Sequence, residues 1–87
     1  MNEMYIVAFN STHHAIRTDK ALNEKNLKVT TLPTPREISS SCGISVRFLL
    51  EDMDIVIKTL EENEILYHGI FKVERLAGGK KEITKLR

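Results

Sequence analysis

The only cysteine of the chain, Cys42, stands near the end of the run Pro33-Thr34-Pro35-Arg36-Glu37-Ile38-Ser39-Ser40-Ser41-Cys42-Gly43, a stretch of turn formers, hydroxyls and one fixed positive charge. A thiol kept for packing is surrounded by apolar neighbours, whereas Cys42 follows three serines and precedes a glycine, which points to a reactive thiol. Such a thiol is a nucleophile only as thiolate, and with an ordinary pKa near ~8.5 it gains from a nearby cation or from the amides that open a helix. Arg36 is the fixed cation closest in sequence, and it either steers an anion toward the thiol or pairs with Glu37 and solvent. Ser39, Ser40, Ser41 and Gly43 offer hydroxyls and amides to an anion, or simply form a hydrogen-bonded turn. His13 and His14 are candidates to accept the thiol proton. As neighbours on a helix only one of them can face a given partner, and otherwise they are exposed first-turn residues. His68 is a weaker candidate that reads equally as a strand residue at the sheet margin.

Other chemistries fit poorly. A zinc site from Cys42 and three scattered histidines would lack any paired ligand spacing, so neither metal nor cofactor is expected. A phosphate-cradling glycine loop, an H-E-x-x-H helix and a nucleophile elbow are all absent, and Gly78-Gly79 reads as a hinge into the tail. With 87 residues, 41% of them hydrophobic, the chain suits one small domain. A lone cysteine forms no internal disulfide, and the first residues, Met1-Asn2-Glu3-Met4, lack the basic start of an export signal, so a cytoplasmic protein is expected. No apolar run approaches the ~20 residues of a membrane span. The net charge of +1 conceals five basic residues against one acidic residue from position 75 onward, too little to argue for a nucleic-acid partner.

These residues need elements to position them. Met4 to Asn10 is apolar on both faces and partly β-branched, which predicts a central strand. Ser11 or Thr12 can cap a helix to about Lys25 whose inward stripe is Ala15, Thr18, Ala21 and Leu22. Leu27 to Leu32 predicts a second strand stopped by Pro33, and the alternation of Ile44, Val46, Phe48 and Leu50 a third. Asp52 can cap a helix to Asn63 carrying Met53, Val56, Ile57 and Leu60 on one face, and Ile65 to Val73 predicts a fourth strand. Thr34-Pro35-Arg36-Glu37 matches a capping box, which predicts a short helix inside the loop with Gly43 just past its end.

The order βαββαβ predicts an α+β fold, a ferredoxin-like sandwich with a four-stranded antiparallel sheet and two helices on one face, over residues 1–74. Residues 75–87 are expected to be a basic, flexible tail. In the usual strand order 4-1-3-2, the start of the first helix (Ser11, Thr12, His13, His14) comes to the same end of the domain as the Pro33 to Gly43 loop. The helices cover only one face of the first strand, so a homodimer or other partner is expected on the open sheet face.

The strand into Ser11-Thr12-His13-His14-Ala15, together with Leu32 to Gly43 and then Ile44-Ser45-Val46-Arg47-Phe48, resembles the family called Putative Se/S carrier protein-like, over about residues 4 to 73. The resemblance implies a bacterial protein that holds sulfur or selenium on Cys42 as a persulfide or selenosulfide. It would relay the atom from a donor protein to an acceptor protein, as a stoichiometric carrier rather than a turnover enzyme. The Cys-Pro-x-Pro motif of the better-understood small sulfur carriers is absent. Two other readings stand beside the carrier: a noncatalytic interaction module using the second sheet face, and a thiol redox sensor in which Cys42 is reversibly oxidised.

Overall fold

The computed structural model describes residues 2–36, 38 and 43–87. The chain runs β1 (Asn2–Phe9), α1 (Thr12–Glu24), β2 (Thr30–Pro33), β3 (Ile44–Phe48), α2 (Met53–Glu62), β4 (Gly69–Arg75) and β5 (Lys81–Lys85), with single 3₁₀ turns at Leu50–Asp52 and Ala77–Gly79. All strands join one antiparallel sheet in the order β2-β3-β1-β4-β5. The α+β architecture of two helices on an antiparallel sheet is therefore as expected, but the sheet has five strands, not four.

The fifth strand comes from the segment expected to be a loose tail. Gly78 and Gly79 adopt φ of 79° and 78°, the region that glycine enters without steric cost. They reverse the chain so that the Leu76 amide donates to the Lys80 carbonyl at 2.7 Å and β5 pairs with β4 from Arg75↔Lys81 to Phe71↔Lys85. Past the end of β5, the Arg87 guanidinium donates to Tyr67 Oη and to Glu61 Oε2, both at 3.2 Å. The strand was hard to foresee because Ile83 is its only apolar side chain.

β1 lies at the centre because its side chains are apolar on both faces. Tyr5, Val7 and Phe9 stand in register with Phe48, Val46 and Ile44 of β3, and Val7 with Ile70 of β4. Onto this face pack Ala15 and Leu22 of α1 and Val56 and Leu60 of α2, forming the main core. Each such aliphatic or aromatic side chain contributes roughly 1.5–3 kcal/mol when fully buried. The opposite face carries a second cluster of Ile6, Ala8, Phe71 and Val73, with Met4, Leu32, Ile38 and Ile83 against it. Ile6 is wholly buried there. The exposed large apolar residues, among them Ile16, Leu50 and Leu66, belong to neither cluster.

Both helices end in the same way. After α1 the Leu27 amide bonds the Leu22 carbonyl and the Asn26 amide that of Asn23; after α2 Ile65 bonds Leu60 and Glu64 bonds Glu61. These are paired Schellman bonds, with an apolar contact closing each turn in the main core. The residue at the left-handed position is Asn26 (φ 62°) in one and Glu64 (φ 51°) in the other. Among the described residues, no helix is long and apolar enough to cross a membrane.

A glutamate in the left-handed region carries a steric cost that glycine avoids. Glu64→Gly should therefore raise stability by about 1 kcal/mol, measured as a higher urea midpoint at unchanged slope. Gly78→Ala with Gly79→Ala should lower it by a similar or larger amount.

Candidate functional site

The residues singled out for chemistry divide into those the structure describes and those it does not. Cys42, Ser39, Ser40 and Ser41 lie outside the described residues, as does Glu37 of the expected capping box. Gly43, Arg36, His13, His14 and His68 are described.

Gly43 is the described residue bonded to Cys42, and its surroundings fix where the loop re-enters the sheet. A Cβ at this position would lie 2.7 Å from the Phe9 carbonyl oxygen and 3.2 Å from Thr34 Oγ1, closer than real side chains approach. Gly43 is thus required by the close passage of its backbone against the last residue of β1. The Thr34 amide donates to the Gly43 carbonyl at 3.0 Å, extending the β2–β3 ladder one step past Pro33↔Ile44. Pro33 itself is exposed on the edge strand β2, where a missing amide donor costs little.

Thr34 fastens the loop to β3. Its hydroxyl lies 2.8 Å from Ser45 Oγ, which is fully buried on β3, so it closes the base of the loop across the two strands. After Thr34 the chain makes a turn in which the Ile38 amide donates to the Pro35 carbonyl at 3.0 Å, with Arg36 exposed at its corner. Ile38 then packs onto the second apolar cluster, which ties the loop to the sheet face away from the helices.

Phe9, against which Gly43 rests, is two residues before Ser11, the N-cap of α1. Ser11 makes no side-chain capping bond and the first turn holds no acidic residue. Neither the cap side chain nor an acidic residue of the first turn therefore offsets the partial positive charge at the start of α1. His13 is exposed and His14 half-buried in that first turn, their ring centroids 6.0 Å apart. The chain bonds place the loop base and the helix start at one end of the sheet. His68 reaches this end from the other side of β1, its amide donating to the Ala8 carbonyl at 2.7 Å while its ring stacks on Phe71 at 6.1 Å. Among the described residues no group of three or more His, Cys, Asp or Glu is placed to hold a metal ion.

Sequence reasoning missed Thr34, Ser45 and Ile38 as the residues that fasten the loop. The available signal was the polar Ser45 at an inward position of the second face, a residue that needs a buried partner.

The family model Putative Se/S carrier protein-like matches residues 4–72. No curated protein and no solved structure matches the chain.

Gly43→Ala should cost about 1–3 kcal/mol, because the added methyl meets backbone that cannot step aside. Thr34→Val should cost a comparable ~1–3 kcal/mol by leaving the Ser45 hydroxyl without its partner. Both are read from chemical denaturation.

Proposed function

The chain belongs to the Putative Se/S carrier protein-like family, and from that premise we propose that it carries sulfur or selenium on Cys42 as a persulfide or selenosulfide and hands it to an acceptor protein. The Cys42 thiolate attacks the terminal sulfur, or its selenium counterpart, of a donor's persulfide. A new sulfur–sulfur or sulfur–selenium bond forms on Cys42, the donor's bond to that atom breaks, and the donor leaves as a thiolate that takes up a proton. The acceptor then removes the same atom by the reverse chemistry. The carrier is a stoichiometric relay that works in the cytoplasm.

The observation that carries this reading is the anchoring of Gly43, the covalent neighbour of Cys42, against the Phe9 carbonyl just before α1. That anchor supports a thiol working beside the uncompensated start of α1, where partial positive charge favours a thiolate. In this reading His13 or His14 accepts the thiol proton. Arg36, with Ser39, Ser40, Ser41 and Gly43, steadies the anionic cargo. The donor and acceptor are proteins. A homodimer through the second sheet face would gain little, since Ile6 and Ala8 there are already buried within the chain.

Incubation with a cysteine desulfurase and cysteine, and separately with a small-molecule persulfide, should add sulfur to Cys42 as a mass adduct that dithiothreitol removes. Cys42→Ser should abolish the adduct while leaving thermal unfolding unchanged. Absence of any adduct from both donors would defeat the carrier. Reversible oxidation of Cys42 without transfer would favour the redox sensor.

A further inference from the structure

The two faces of the sheet carry opposite charge. The strand register assigns Glu3, Lys72, Glu74 and Glu82 to the helix side and Arg47, Arg75, Lys81 and Lys85 to the other. The face away from the helices therefore holds four basic strand residues and no acidic one, and all four are exposed. Arg47, Ile6, Phe71 and Lys85 form one row across β3, β1, β4 and β5, so the two cations at its ends are three strand spacings apart, about 14 Å. Arg75 and Lys81 form a second basic point four residues along β5, about 13 Å away.

Arg75 and Lys81 stand directly opposite each other on this face. Like charges in that relation destabilise a sheet, and neither takes part in the ion pairs found among the described residues, which join Lys25 to Glu62, Lys72 to Glu3 and Arg87 to Glu61. A local conflict without a compensating ion pair among the described residues is what a surface built for an external partner presents.

We propose that this basic face docks an acidic protein surface, one whose carboxylates match cations set about 14 Å apart across the strands and about 13 Å apart along β5. The protein partner is favoured over single-stranded nucleic acid because, among the described strand residues of this face, no aromatic ring is exposed for bases to stack on. Phe71, its one aromatic strand residue, is only 6% exposed. The second apolar cluster supplies a rigid floor, and the cations around it supply orientation. The proposal concerns binding and stands whether or not Cys42 carries sulfur.

The test uses labelled poly-L-glutamate as an acidic polypeptide probe and poly-uridine RNA as the alternative, with binding measured by fluorescence anisotropy at low and moderate salt. Wild-type protein should bind poly-L-glutamate at low salt and lose at least tenfold in affinity at moderate salt. Arg47→Gln/Lys85→Gln should weaken binding at least tenfold, whereas Lys20→Gln/Lys58→Gln, of identical net charge but located on the helices, should change it less than twofold. Arg75→Gln/Lys81→Gln should also weaken binding and at the same time raise the urea midpoint, which separates lost recognition from lost folding. Equal binding by all three variants, tighter binding of poly-uridine than of poly-L-glutamate, or salt-sensitive self-association of the wild type through its acidic side would each overturn the proposal.

Discussion

The structure rests on a single constraint, the need to bury both faces of β1. Its apolar residues alternate without a polar side, so a sheet covered by helices on one face leaves a second set of side chains to be sheltered. The chain solves this with unequal means. Two amphipathic helices cover Val7 and Phe9, while Ile6 and Ala8 are covered by neighbours on β4, by Ile83 of β5 and by Ile38 of the loop. The loop that bears Cys42 is thus coupled to the packing of the sheet. Its described residues are held at Thr34, Ile38 and Gly43, by a hydroxyl pair, an apolar contact and a backbone approach.

Much of this was legible in the sequence. The two-faced strand, the stripe of Ala15, Thr18 and Leu22, and the stripe of Val56 and Leu60 were all readable from periodicity, and each is buried. The juxtaposition of the loop base with the start of α1 came from strand order alone. The features that could not be read depend on contacts between distant residues. The pairing of the Thr34 hydroxyl with Ser45, eleven residues on, could not be announced by a local motif. β5 was overlooked because a single isoleucine among polar residues gives almost no period-2 signal, and because two glycines read as an ending rather than a reversal. The helix ends were legible at Lys25 and Asn63, although Asn26 and Glu64 occupy the positions where glycine is the usual marker. Of the elements around the loop, β2, β3 and α1 were foreseen, whereas the residues that fasten its described ends were not.

The division of labour along the chain is informative. The family match spans residues 4–72, which includes Cys42 and both helices. Arg75, Lys81 and Lys85 lie beyond it, on the end of β4 and on β5. The proposed transfer chemistry and most of the proposed docking charge therefore reside on different segments. β5 is hydrogen-bonded to the sheet through β4 alone, while Ile83 joins it to the second apolar cluster.

The central position of β1 has a consequence for how the protein is made. This strand leaves the ribosome before its partners β3 and β4, which end at Phe48 and Arg75. At ~5–20 residues per second, the completed β1 waits roughly 3–13 s before its last neighbour emerges. During that interval the uncharged run from Met4 to Phe9 is an unpaired, sticky segment of the kind that seeds aggregation in nascent chains. Its yield in cells should accordingly be governed by chaperone capture of the first strand, more than by the stability of the finished fold.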